Sequence, residues 1–318
     1  MKPLAYLHAA GGMGPNGDLE LDLFDPSRVP LTADASPISL RALARQLNMP
    51  TPRLVTRYVE LAVLGAQQIK RALAPSTRLY VATGMGEIVT VDALYHQIVP
   101  PASEMIMPAK FASSGNNMAA FFVARQMGLL SRNLTLSLEE LSFEQTLSIV
   151  ADDFAAGAMQ AALVGAIDEA AVPRAFYLSH FPFAREHCIG EGSAWLVLGS
   201  DPAGAIGELL DATVFAPNPD QRDCMSAIRD IVSGDPIIVM PGFRLTAADI
   251  AELKQHIGAA THHAYLQHTG YYPTAVGLAM VGTFRKAWPS TTTFLHWNRD
   301  EYGRIGRLVW RVYGPQGR

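Results

Sequence analysis

Two acidic side chains, Glu139 and Glu140, stand where a short alternating strand at 134–138 runs into a helix rich in small residues at about 142–156. Elbows of this kind hold nucleophiles in many enzymes, because the helix N-terminus stabilises negative charge there. This elbow carries carboxylates and neither Cys nor Ser. A carboxylate is a weak nucleophile. Glu140 therefore reads first as a helix-start acid, a placement worth about 0.3–1 kcal/mol. As a catalytic acid or base it would need a matched partner, and none lies near it in sequence. The other reactive groups are scattered. His262, His263 and His268 have no carboxylate or Cys at ligand spacing, which predicts loop and strand-end histidines and no metal. His187 beside Cys188 is a lone pair without a third member. Glu191, between Gly190 and Gly192, reads as a turn residue bonded to a neighbouring loop.

Hydrophobic patterning supplies the frame for these residues. The chain has 318 residues, 49% hydrophobic and 17% charged, with a formal net charge of −4. That is the composition of a soluble globular protein large enough for two core halves. No basic run invites nucleic acid. Cys188 and Cys224 make no disulfide framework, which fits a reducing cytoplasm. No stretch is long enough to span a membrane. The N-terminus, MKPLAYLHAAGGMGPNG, reads as strand plus turn. Its glycines do not match a phosphate-binding fingerprint, because no helix follows directly. Periodicity predicts strands near 4–9, 79–82, 134–138, 161–165, 194–198, 206–214, 237–240, 264–266, 292–297 and 308–313. It predicts helices near 52–73, 87–98, 116–127, 142–156, 221–232, 247–257 and 273–288, with Pro52 suited to a first turn. Residues 18–37 and 173–188 are expected as loops. The pattern restarts after Asp201-Pro202-Ala203-Gly204, which divides the chain into halves at 1–202 and 203–318. Strands alternate with helices in both, so helices should cover buried sheets in layers.

At this point the chain resembles a β-ketoacyl synthase of the thiolase-like fold across most of its length. The resemblance rests on Pro108, Phe111 and Asn117 before a helix, and on LVGAIDEA after the elbow. GEGSAWLVL at 190–198, HTGYYPTAVGLAMV at 268–281 and NRDEYGRIG at 298–306 complete it, in that order and spacing. It implies a five-layered αβαβα fold made of two similar halves. In that family a Cys at the elbow takes the acyl group, and two His support decarboxylation and the developing oxyanion. Carried over position by position, the Cys falls on Glu140, the first His on Pro241 and the second on Tyr271. The usual Lys falls on Leu266, and the Phe-bearing glycine gate reads Arg299 to Gly303, with Asn298 keeping a backbone-anchoring role. None of these replaces a thiolate and an imidazole pair.

The chain is thus similar to the chain length factor, the catalytically degenerate partner of a ketosynthase, and most similar to the compact form of aryl polyene pigment clusters. That resemblance implies no catalysis by the chain alone and no cofactor. It implies a heterodimer with an active ketosynthase, served by an acyl carrier protein, in polyketide, aryl polyene or fatty-acid-like biosynthesis. The dimer interface is expected over 134–156, through Leu134, Leu136, Leu138 and Phe143. The wall of the partner's acyl tunnel is expected from Met85, Val89 and Ala93 on one helix face. Two alternatives stand beside it: an independent malonyl-carrier decarboxylase or acyltransferase using Glu140 or Tyr271, and a homodimeric acyl-binding scaffold.

Overall fold

The computed structural model describes residues 2–35, 38–51, 55–99, 108–170, 174–180, 188–220, 224–225, 228–231, 235–258 and 260–315. Pro52, His187 and much of the helix expected at 221–232 lie outside these residues. Among the described residues ten strands form the sheet system: β1 (Ala5–Met13), β2 (Arg78–Thr83), β3 (Asn133–Ser137), β4 (Ala161–Asp168), β5 (Gly192–Gly199), β6 (Gly207–Phe215), β7 (Ile237–Pro241), β8 (Thr261–His262), β9 (Thr292–Arg299) and β10 (Ile305–Val312). Their spatial order is β3-β2-β4-β5-β1-β6-β10-β9-β7-β8. The order of β1–β5 is repeated, mirrored along the row, by β6–β10. The directions repeat too: β2 is parallel to β3 and β4, and β7 to β8 and β9. The two groups meet in a short antiparallel pairing of Ala5–Leu7 with β6.

Among the described residues, the three largest buried clusters fill the spaces between five layers. The central one is built on the helices Ser142–Ala155 and Ala275–Arg285, each following the third strand of its group. In the first of these helices Phe143, Leu147, Val150 and Ala151 share one face by helical spacing. The second is apolar nearly all round, and residues 275–283 are all buried, as a helix between two sheets must be. Gly277 lets that helix approach β4; a Cβ there would stand 2.4 Å from the Cβ of Ala166. An outer cluster lies under Arg57–Ala66 and Met118–Met127 on the β1–β5 side. Another lies under Ile228–Ile231 and Ala247–Ile257 on the β6–β10 side. Among the described residues no helix is long and apolar enough to cross a membrane.

Several expected elements shift. Residues 173–188 were expected as loop, yet they include a helix, Arg174–His180. A further helix, Leu40–Gln46, is capped by the Ser39 hydroxyl, which accepts from the amide of Ala42. The helix expected over 52–73 is observed as Arg57–Ala66, because Thr56 caps it by accepting from Val59. The strand expected at 264–266 lies earlier, at Thr261–His262, since Tyr265 already turns into the helix Leu266–Thr269.

Asp168, at the end of β4, is fully buried and accepts five hydrogen bonds. Thr83 Oγ1 and the amides of Gly84 and Met85 donate at 2.9, 2.9 and 3.1 Å. The amide and hydroxyl of Thr274 donate at 3.0 and 2.8 Å from the other half. Burial pushes this carboxyl above its ordinary value, and its donors hold it down. Asp168→Ala strands the buried amides of Gly84 and Thr274 and the part-buried amide of Met85, and a buried amide costs about 1–3 kcal/mol when unpaired. The variant should lose on the order of 3 kcal/mol or more, measured by chemical denaturation; a loss under about 1 kcal/mol would remove Asp168 from this role.

Candidate functional site

The elbow between β3 and the first central helix keeps a strained backbone. Glu139 has φ +54, in the left-handed region where a non-glycine residue costs energy. Side chains behind it hold this shape. Ser142 Oγ accepts from the amide of Leu138 at 2.9 Å and donates to the carbonyl of Glu139 at 2.7 Å. From β9 of the other half, Asn298 Nδ2 donates to the carbonyl of Glu140 at 3.1 Å. The sequence-based anchoring role of Asn298 is thereby located. Its Oδ1 also accepts from the amides of Phe243 and Arg299, both at 3.0 Å.

The Glu140 carboxylate is buried and tied by three loops. Arg244, after β7, places Nε 2.9 Å from Oε1 and 3.0 Å from Oε2. The amide of Glu301, after β9, donates to Oε2 at 3.1 Å. The Tyr271 hydroxyl, after β8, lies 3.4 Å from Oε1, a long contact. Burial pushes the Glu140 carboxyl up to about 7; Arg244 pulls it down and Asp300 adds to the rise. A cavity of about 360 Å³ opens in front, lined by Met85, Ile88, Glu139, Glu140, Ser179, Arg244 and Glu301.

Of the three positions singled out by resemblance, Glu140 and Tyr271 touch. Pro241 ends β7 and brings no polar side chain; the same loop reaches Glu140 through Arg244. Phe243, between them, packs its ring 4.4 Å from that of Tyr271. Arg244 escaped the sequence reading, since its partner lies 104 residues away and no local pattern marks the pair. Glu191 does bond a neighbouring segment: it pairs with Arg57 and accepts from the amide of Ala170 at 3.3 Å. His263 stacks between Phe24 and His268, and burial pushes it down to about 4.

The expected tunnel and interface residues separate. Met85 lines the cavity but precedes the helix Ile88–Ile98, because Gly86 at φ +57 breaks the helical path. Met85, Val89 and Ala93 therefore do not share a helix face. Val89 is half-buried and Ala93 exposed. Leu134 and Leu136 lie half-buried on β3, at the edge of the sheet, and Leu138 just follows that strand. Phe143, expected at the interface, has no exposed surface and belongs to the central core, so it offers nothing to a partner.

No protein-family model matches the chain, and no curated protein matches it in sequence. Solved structures do match over its whole length. The chain is similar to the ishigamide ketosynthase/chain length factor, with TM-score 0.77 and 15% identity over 98% of this chain and 99% of that one. It is similar to AntDE:AntF, a type II PKS acyl-carrier protein in complex with its ketosynthase bound to the hexaketide, at 0.75 and 14% over 97% and 99%. It is also similar to the ketosynthase ApeO in complex with its chain length factor ApeC from Xenorhabdus doucetiae, at 0.56 and 12% over 98% and 99%. These likenesses establish the thiolase-like ketosynthase fold that the sequence implied.

The raised Glu140 carboxyl has a measurable consequence. The folded chain holds this proton up to about pH 7, whereas an unfolded glutamic acid releases it near 4.5. Stability from this group is fully present below about pH 4.5 and is lost as pH rises to about 7. Relative to Glu140→Gln, the wild-type unfolding constant should rise by up to about tenfold per pH unit in that window and level off above it. Denaturant titrations at a series of pH values check this; parallel profiles for the two proteins would refute it.

Proposed function

We propose that the chain is a chain length factor: a ketosynthase-fold subunit, built of halves 1–202 and 203–318, without condensing chemistry of its own. It pairs with an active ketosynthase, shapes that partner's acyl tunnel and meets the acyl carrier protein through the complex, in polyketide or aryl polyene biosynthesis. The observation that carries this reading is the state of Glu140. It stands at the elbow, where the resemblance places the acyl-accepting Cys, and its carboxylate oxygens are engaged by Arg244, Glu301 and Tyr271. Neither Pro241 nor Tyr271 supplies an imidazole, so a thiolate placed there would still lack its base.

The open edge of β3 supports a paired state. Among the described residues β3 bonds only to β2, which leaves its other edge free to add a strand. Nearby sequence keeps large apolar side chains in solvent, among them Val91, Tyr95, Ile98, Phe111 and Phe121. Obligate interfaces bury on the order of 2,000 Å² or more and resemble a core.

One observation favours a second reading. A carboxyl held near neutrality beside a cavity suits acid–base work, here decarboxylation of a carrier-bound malonyl unit by Glu140 with Tyr271. Incubating the isolated chain with malonyl-loaded carrier separates the two: carbon dioxide release that disappears in Glu140→Gln would select the second reading.

If an adjacent gene encodes a Cys-His-His ketosynthase, co-expression with it should give a stable complex by size-exclusion chromatography and mass spectrometry. Leu136→Asp, which sets a charge on the β3 edge, should abolish co-purification; a complex that survives it places the interface elsewhere.

The tunnel assignment is tested in the reconstituted complex. Val89→Phe and Ala93→Phe should shorten the product, read by mass spectrometry. Full-length product from intact variant complexes would leave Met85 alone as a candidate wall residue.

A further inference from the structure

Behind the elbow, away from its cavity, the carboxyl of Glu144 uses only one of its oxygens. Glu144 is four residues past Glu140 on the first central helix and has no exposed surface. Its Oε1 lies 3.0 Å from Nε2 of His296, on β9, and accepts from Asn298 Nδ2 at 3.0 Å. Its Oε2 is buried and has no hydrogen-bond partner among the described residues. A second such group stands nearby. Tyr265 leads into the helix Leu266–Thr269, is fully buried, and its hydroxyl is likewise without a partner among the described residues. Its ring centroid is 6.1 Å from that of His296. Burial first, and then Glu144, push the Tyr265 phenol well above its ordinary value, so the two side chains lie within electrostatic reach. They do not touch, since a direct hydrogen bond would give each a partner.

We propose that an ordered internal water bridges Tyr265 Oη to Glu144 Oε2 and so ties the segment that starts at Tyr265 to the first central helix beneath the elbow. A buried polar group left unmade is costly, and native cores satisfy such groups with ordered water. Water donates to a carboxyl oxygen and accepts from a phenol at once, and two polar partners are the fewest an internal water takes. The neighbours offer no substitute. Thr269 Oγ1 is committed to the carbonyl oxygens of Gly270 and Tyr265, at 2.9 and 3.3 Å. β10 faces Glu144 with Gly306, which has no side chain; a Cβ there would stand 2.9 Å from Glu144 Cγ. Among the described residues no Lys or Arg pairs with Glu144. A further buried hydroxyl without a partner, that of Tyr272, interacts electrostatically with Asp168 and Tyr265. This stretch of the core is therefore polar enough to hold water.

The bridge completes a line of contacts that ends at the elbow. It runs from Tyr265 through the water to Glu144, from Glu144 Oε1 to Asn298 Nδ2, and from Asn298 Nδ2 to the carbonyl of Glu140 at 3.1 Å. The same segment reaches the elbow from its other side, where the Tyr271 hydroxyl lies 3.4 Å from Glu140 Oε1. Glu140 is thus approached by its backbone and by its side chain from elements that the water joins. This holds whether or not the chain is a chain length factor.

Two measurements on the full chain test the bridge. A crystal structure of the wild type that resolves ordered solvent should show a water at about 2.5–3.0 Å from both Tyr265 Oη and Glu144 Oε2. Direct contact between these two oxygens, or no density between them, overturns the proposal. Tyr265→Phe gives a second arm in solution. A hydroxyl that is truly without a partner is a liability, and its removal would leave the unfolding constant unchanged or lower it. A bridged hydroxyl contributes to stability, and its loss should raise the unfolding constant about fivefold in a denaturant titration. A variant at least as stable as the wild type overturns the bridge.

Discussion

Two buried side chains cross-pin the halves at their elbows. Asp168 ends β4 and Asn298 lies near the end of β9, the fourth strand of each group. Each accepts from the loop after the second strand of its own half: Asp168 from Gly84 and Met85, Asn298 from Phe243. Each then reaches across to the segment ahead of the other half's central helix. Asp168 takes the amide and hydroxyl of Thr274, and Asn298 gives a hydrogen bond to the carbonyl of Glu140. The pattern follows the internal repeat of the sheets. Buried polar groups of this kind are costly when half-satisfied and stiffening when complete, and Asp168 has five donors.

The consequence lies in which atoms the pins use. At the elbow the held group is the backbone carbonyl of Glu140, and Ser142 likewise grips the backbone of Leu138 and Glu139. The left-handed backbone of Glu139, a strain of about 1–3 kcal/mol, is thus imposed from behind. The side chain at position 140 is not needed to keep the elbow's shape. Its chemistry can change while the fold stands, and Glu140 adds contacts of its own to Arg244, Glu301 and Tyr271. Strain of this kind usually marks a working site.

The local periodicities were legible because they reflect burial on one face. Strands with continuous apolar runs, such as β4 and β5, stood out, and so did the helix Ala247–Ile257. Short elements were not legible. The two residues of β8 carry no period, and Arg174–His180 lies within 173–188, a stretch that reads as polar loop. Partnerships across the halves were hidden for a different reason. Arg244 with Glu140, and His296 with Glu144, join residues 104 and 152 apart, and each looks like an ordinary surface or core residue in its own segment. Phe143 misled because a residue beside an edge strand can equally be the first core residue of the following helix. Met85 misled because helical spacing was extended through Gly86, where the backbone turns away.

Charge around the elbow bears on the chemistry that a thiol there would need. Condensation develops negative charge on a thioester oxygen, and the site must offer donors aimed at it. Among the described residues the cavity instead carries the carboxylates of Glu139, Glu140 and Glu301 beside the guanidinium of Arg244. Two of the donors within reach, Arg244 Nε and the amide of Glu301, already serve Glu140. Exchanging Glu140 for a smaller thiol would release them, but Glu139 and Glu301 would still oppose an oxyanion, and the loop after β7 would still present Pro241. Burial pushes the Glu140 carboxyl up to about 7 even with Arg244 Nε 2.9 Å away, because desolvation disfavours its charged form.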